Sequence, residues 1–426
     1  MAEKLLFIIL DGVGDEPVPS LGNKTPLEAS EKPNMDFLAR TGQTGSVTVI
    51  EEGIAPTSET ATLALLGYDP FKYYTGRGPL AAYGADIGFE EGDVALRTNL
   101  GVIKNGRILD IRVGDLTTVD AKRLADSINR QVILSDSSVS FKYYPTMTYR
   151  GILLLKSKKE KLSEQVSNTH PAYIHIKGIS ASQEFKQTAF KQCVPKADTK
   201  SAELTAKLVN EFIMKSHEVL ETHEVNTKRA KDKKQKANII LTREAGNRLP
   251  NLPSIEDKYS RLWLCIADLP MEAGVAKLAG MEVVNADEPN LANIQATLKD
   301  RTDTILKNWG NYDCFYVHIK GPDVPSHEKE PETKKKIIEA IDKHFIGALL
   351  SKINLSKTII CITSDHTTSS VKGIHTPAPV PLLISGAGVR MDTVKSFAEN
   401  TCKEGLIGSI RGVDVMPLVM KKFVGE

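Results

Sequence analysis

KLLFIIL, residues 4–10, carries six apolar side chains in a row and stops at Asp11-Gly12. An unbroken run closed by a turn pair reads as a strand buried on both faces, the kind found in parallel sheets. Six residues are far short of the about 20 that a membrane helix needs. The run is also too short for a secretory leader, and no small-residue cleavage pattern follows it. Similar runs recur as ILLL at 152–155, NIIL at 238–241, LWLCIA at 262–267, FYVHI at 315–319, TIICIT at 358–363 and PLLI at 381–384. Helical patterns lie between several of them, such as ETATLALLG at 59–67 and ETKKKIIEAIDKHFIGALLSKI at 332–353. Alternating strands and helices predict an α/β fold on a mostly parallel sheet. In such sheets chemistry gathers where loops leave the carboxyl ends of the strands.

The whole chain is consistent with that reading. Its 426 residues correspond to two or three domains at about 150 residues each, or to one large core with an insertion. Apolar residues make up 41% and the 30 glycines add about 7%, an ordinary globular composition. The 55 basic and 53 acidic residues nearly cancel, at +2, which argues against a dedicated nucleic-acid binder. One basic stretch, TKRAKDKKQK at 227–236, has no aromatic neighbours and reads as a solvated helix end or loop. The cysteines at 193, 265, 314, 361 and 402 are odd in number and scattered, so they form neither a disulfide framework nor a zinc knuckle. A reducing, cytoplasmic setting is expected.

Four strand ends carry residues of metal-ligand type. Asp11 follows the first strand. Asp323 and His327 follow FYVHIKGP, Asp365-His366 follow TIICITS, and His375 lies nine residues beyond His366. Singly, each has a plainer reading: a turn or cap aspartate, or a core histidine. Three aspartates and three histidines together at strand ends suit divalent metals. Ser58, in APTSETATLALLGYDP, stands where a helix begins and where backbone N–H groups favour an anion. Its plainer reading is an N-cap, a role that Thr57 or Thr60 could equally fill. Other motifs fail. No Walker-type loop occurs, the GVG at 12–14 is not a dinucleotide fingerprint, and HEVLETH has the wrong spacing for a zinc protease.

FIILDGVGD (7–15), LGNKTPLEASEKPNMDFLARTG (21–42), PTSETATLALLGYDPFKYYTGRGPL (56–80) and SDHTT…HTPAPVPLLI (364–384) resemble archaeal-type cofactor-independent phosphoglycerate mutases of the alkaline phosphatase superfamily. GDVALRTNL (92–100) and IKGPDVPSH (319–327) are similar more weakly, and together these segments span nearly the whole chain. The resemblance implies a three-layer core at 1–80 and 255–426, with an inserted smaller α/β domain at 81–254 that closes over it. It implies one metal on Asp11, Ser58, Asp365 and His366, and a second on Asp323, His327 and His375. Manganese is the first choice, with magnesium, cobalt and zinc also fitting, and no 2,3-bisphosphoglycerate is needed. Ser58 would carry a phosphoryl group between the two hydroxyls of phosphoglycerate in glycolysis or gluconeogenesis. Arg112, Arg150 and Arg243 would bind its carboxylate and phosphate. No nucleic acid or membrane partner is implied, and a homo-oligomer is allowed.

Three segments depart from the family pattern. Arg112-Val-Gly-Asp115 replaces R-A-G-R, and Asn168-Thr-His170-Pro171 replaces D-T-D-P. Glu272-Ala273 stands where the family carries a lysine near the metals, with Lys277 one helical turn on as a substitute. An acid in place of a phosphate-facing arginine exchanges attraction for repulsion. The same core with a changed specificity shell would be a phosphatase or phosphotransferase on another small phosphorylated metabolite.

Overall fold

The computed structural model describes residues 2–425. The chain forms two compact units. Met1–Tyr74, Ile176–Ser182 and Asn251–Glu426 make the first, and Thr75–His175 with Gln183–Pro250 make the second. The boundaries expected from sequence, 80/81 and 254/255, move to 74/75 and 250/251. The helix Arg77–Gly84 runs unbroken across residue 80. Its Gly78 lies so close to the strand Val94–Lys104 that a Cβ would stand 2.0 Å from the Ala95 carbonyl. At the other end Ser254 caps the helix Ile255–Tyr259 and folds with it.

The first unit is built on an eight-stranded sheet. Its order is Glu282–Asn285, Trp263–Ala267, Cys314–Ile319, Lys4–Leu10, Thr358–Thr363, Val380–Gly386, Gly42–Thr48, Gly408–Arg411. The first five strands are parallel neighbours, Val380–Gly386 is antiparallel to both of its neighbours, and the last pair is parallel again. Lys4–Leu10 is central because it is apolar on both faces. Leu5 through Leu10 are each at most 1% exposed. At about 2 kcal/mol per side chain, this strand alone contributes about 12 kcal/mol against the cost of ordering the backbone.

The second unit carries a fully antiparallel sheet around Val94–Lys104, which pairs with Arg150–Ser157, Arg107–Asp110 and Ile239–Gly246. The helices Thr118–Gln131 and Lys200–Thr222 share its main apolar core. ILLL and NIIL are therefore strands, but antiparallel ones, as is PLLI. A continuous apolar run records burial on both faces and says nothing about strand direction.

Two helical expectations are refined. The single pattern at 332–353 becomes a helix Pro331–Ile341, a π-turn Asp342–Ile346 and a short helix Gly347–Leu350. The π-turn begins at Asp342, whose carboxylate accepts the Asn34 and Met35 backbone N–H groups of another helix. The basic stretch at 227–236 covers the end of the helix Glu224–Lys231 and the turn after it. All five cysteines are buried and free. Among the described residues no helix is long and apolar enough to cross a membrane.

Candidate active site

The sequence-selected carboxylates and histidines of the first unit converge. Asp11 leaves the central strand, Asp323 and His327 occupy one helical turn after Cys314–Ile319, and Asp365-His366 follow Thr358–Thr363. His375 lies on a short strand paired with Thr367–Ser369. Gly12 makes the convergence sterically possible. Its φ is +61°, and a Cβ there would lie 2.6 Å from Thr368 Oγ1 and 2.8 Å from Asp323 Oδ1. Its N–H donates to Asp365 Oδ1 at 3.0 Å.

Two groups of donors result. In one, Asp323, His327 and His375 face each other. His327 Nε2 is 3.3 Å from Asp323 Oδ2, and His375 Nε2 is 3.5 Å from Asp323 Oδ1. In the other, His366 Nε2 lies 3.2 Å from Asp365 Oδ2, 3.5 Å from Asp11 Oδ1 and 3.4 Å from Ser58 Oγ. The groups adjoin, because the His366 and His375 rings stack at 3.6 Å.

The hydrogen-bond network leaves each Nε2 directed inward. His327 Nδ1 donates to the Gly373 carbonyl and His375 Nδ1 to the Pro56 carbonyl, both at 2.8 Å. Thr368 gives its hydroxyl proton to Asp323 and so accepts from His366 Nδ1 at 2.9 Å. Anchoring the far nitrogen in this way is how proteins orient metal-binding imidazoles. His327 Nε2 and His375 Nε2 stand 3.2 Å apart, which brings two lone pairs together. Neighbouring ligands about 2.1 Å from one cation are separated by about 3 Å, so a shared cation turns that repulsion into coordination. Asp11 Oδ1 and Asp365 Oδ2 are buried without a hydrogen-bond partner, and a cation also satisfies them. The donor set fits divalent metal ions.

The local charges respond to this crowding. Burial and the Asp365 carboxylate push the Asp11 carboxyl up to about 7. Burial also opposes ionisation of Asp323, but the Lys320 ammonium is among the charges that outweigh it and hold the group well below the usual range. Burial and the neighbouring His366 push His375 down to about 3, so its imidazole is neutral at physiological pH, as a ligand must be.

Ser58 is the first residue of the helix Ser58–Leu65 and is 2% exposed. The helix start is closed by Thr57 and Thr60, whose hydroxyls meet at 3.2 Å, and Thr57 N–H donates to Thr60 Oγ1 at 3.1 Å. The Ser58 hydroxyl is thereby left to face His366.

Lys320 is a residue that sequence reading passed over. Its ammonium donates to Asp11 Oδ2 at 2.9 Å and Asp323 Oδ2 at 2.7 Å, joining the two groups. The expected substitute, Lys277, is half-buried on the helix Pro270–Leu278, and the lysine at the carboxylates is Lys320 instead. The signal was present in IKGPD: a lysine three residues before a candidate ligand aspartate shares its face of a turn. Behind Lys320, its backbone N–H donates to Asp268 Oδ2 at 2.6 Å, and Asp268 is paired with fully buried Arg301.

The profile of the 2,3-bisphosphoglycerate-independent phosphoglycerate mutase family matches residues 39–226. A 2,3-bisphosphoglycerate-independent phosphoglycerate mutase of Aeropyrum pernix is 35% identical, over 99% of this chain and 100% of its own length. The chain belongs to that family. A mutase of the same name from Thermococcus kodakarensis is 36% identical, covering 98% of this chain and 96% of its own. Among solved structures, the PH0037 protein from Pyrococcus horikoshii superposes with a TM-score of 0.78 at 28% identity, covering 100% of this chain and 98% of that one. The cofactor-independent phosphoglycerate mutase from Thermoplasma acidophilum gives 0.59 at 27% identity, covering 99% and 100%.

The arginines expected from the mutase resemblance lie in the second unit. Strand register puts Arg243 opposite Arg97, and Arg150 opposite Asn99, so Arg97, Arg150 and Arg243 share one face of that sheet. Arg243 is 4% exposed and stacks over the Tyr173 ring at 3.8 Å. Arg97, which LRTN gave no reason to single out, is also buried. Arg112 is half-buried, and its charge reaches His170. Burial, with the charges of Arg243 and Arg112, holds His170 neutral. Asp115, the acid in place of an arginine, is exposed and paired with Arg229 and with Lys234 at 3.2 Å. Its charge is answered locally, so the repulsion expected of it is largely cancelled.

Proposed function

We propose that this chain interconverts 3-phosphoglycerate and 2-phosphoglycerate through a phosphoserine at Ser58. The observation that carries the reading is Ser58 Oγ, freed from capping, 3.4 Å from His366 Nε2 beside buried Asp11 and Asp365. Asp11, Ser58, Asp365 and His366 would hold one divalent cation, and Asp323, His327 and His375 a second. Manganese is favoured, and 2,3-bisphosphoglycerate is not required. When bound, such cations lower the pKa of a serine hydroxyl and neutralise phosphoryl oxygens.

The chain's own groups perform the remaining tasks. Ser58 Oγ attacks the phosphorus of 3-phosphoglycerate, and the bond from phosphorus to the substrate's 3-oxygen breaks. Glycerate stays bound while its 2-hydroxyl attacks the phosphoserine, breaking the P–Oγ bond and restoring Ser58. Lys320 keeps Asp11 and Asp323 in place between the steps. Arg112, Arg150, Arg243 and Arg97 would bind the substrate's carboxylate and phosphate, and the enzyme would act in the cytosol. A second reading, a phosphatase on another small metabolite, is favoured by one observation: Ala273 and Glu272 stand where the family pattern has its lysine.

The test is phosphorus NMR of purified protein with 3-phosphoglycerate and Mn2+, with Ser58→Ala as control. Serine-dependent 2-phosphoglycerate supports the mutase. Serine-dependent inorganic phosphate without isomerised product selects the phosphatase. Turnover that survives Ser58→Ala rejects both.

A further inference from the structure

Behind the proposed active site lies a third convergence of ligand-type groups that the two proposed cation sites do not use. Glu272, on the helix Pro270–Leu278, is 0% exposed, and neither carboxylate oxygen has a hydrogen-bond partner. His318, on the strand beside the central one, is also 0% exposed, and its Nε2 lies 3.7 Å from Asp365 Oδ2. Asp11 completes the set. One ligand atom from each of Asp11, Glu272 and His318 lies within 4.8 Å of the others. His318 Nε2 is 3.6 Å from Asp11 Oδ2.

A carboxylate enclosed without hydrogen bonds is costly to fold unless positive charge meets it. Two carboxylates and one imidazole from three different elements form the donor set of a first-row divalent ion. We propose that Asp11, Glu272 and His318 form a third divalent-cation site, which shares Asp11 with the proposed nucleophile-side site. The proposal rests on the two-cation reading only through Asp11. Its role is to set the charge on Asp11.

The test is cation counting on the full chain. Wild type, Glu272→Gln and His327→Ala are stripped with chelator, reloaded with Co2+ and passed through a desalting column. Cobalt per chain is then read by elemental analysis and native mass spectrometry, with circular dichroism as a check on folding. Three cobalt ions in wild type, and two in each variant, support the proposal. Two in both wild type and Glu272→Gln overturn it while leaving the two-cation reading standing, with His318 then serving as the positive partner. None in wild type overturns both. If Glu272→Gln fails to fold, stepwise Co2+ titration of wild type followed by visible absorption keeps the question decidable. A third equivalent with its own spectrum supports the site, and saturation at two rejects it.

Discussion

Ser58 begins its helix without serving as its cap, which leaves its hydroxyl to the proposed chemistry. Thr57 and Thr60 satisfy the first turn, so replacing Ser58 by alanine removes no helix bond. The expected outcome for Ser58→Ala is a fall in kcat of about 10⁴-fold or more at an unchanged unfolding midpoint. Glu399 offers a second test at this scale. It accepts from Asp15 N–H at 3.0 Å and Thr25 Oγ1 at 2.8 Å, and burial pushes its carboxyl up to about 7 from an ordinary 4.5. Between those values the folded chain holds the proton more tightly than the unfolded chain. This group's contribution to stability is therefore complete below pH 4.5 and lost as pH rises through 7. Urea unfolding of Glu399→Gln should show the variant gaining about 2 kcal/mol on the parent between pH 5 and pH 8. A constant difference across that range would refute the assignment.

At the scale of elements, the helix Pro331–Ile341 acts as a clamp on the loops that bear the candidate ligands. Lys334, fully buried, donates to the Gly14 carbonyl at 3.0 Å, the Thr368 carbonyl at 3.0 Å and Asp15 Oδ2 at 2.8 Å. It ties the loop after Asp11 to the loop after His366. Lys334→Met should destabilise the chain by about 3 to 5 kcal/mol, because Asp15 is left buried without its cation. Adding Asp15→Asn should recover part of that loss, which a double-mutant cycle in urea measures. Two independent, additive losses would show that no such clamp exists. Lys334 was hidden in the sequence within KKK at 334–336, where it looks like any solvated lysine. Only the turn phase of the folded helix distinguishes it from Lys335 and Lys336.

At the scale of the whole molecule, the candidate metal ligands and Ser58 belong to the first unit, and the arginine face belongs to the second. Arg243→Ala should raise the KM for 3-phosphoglycerate about 10- to 100-fold, the loss of one charge-assisted contact, and leave bound metal per chain unchanged. An unchanged KM would remove Arg243 from the proposed substrate set. A loss of metal alongside it would mean that the substitution disturbs folding rather than recognition.

The residue order alone determined the α/β core, because six consecutive apolar side chains have few other places to go. It also marked Asp11, Ser58, Asp323, His327, Asp365, His366 and His375, since polar residues directly after buried strands stand out against their surroundings. Tertiary structure decided what periodicity does not encode. It set the antiparallel direction of ILLL, NIIL and PLLI, because burial on both faces looks the same whichever way a neighbour runs. It chose Lys320 over Lys277, gave Asp115 its own basic partners, and brought Glu272 to His318. Charges have meaning only against the groups they face, and those faces are set by packing between segments up to hundreds of residues apart.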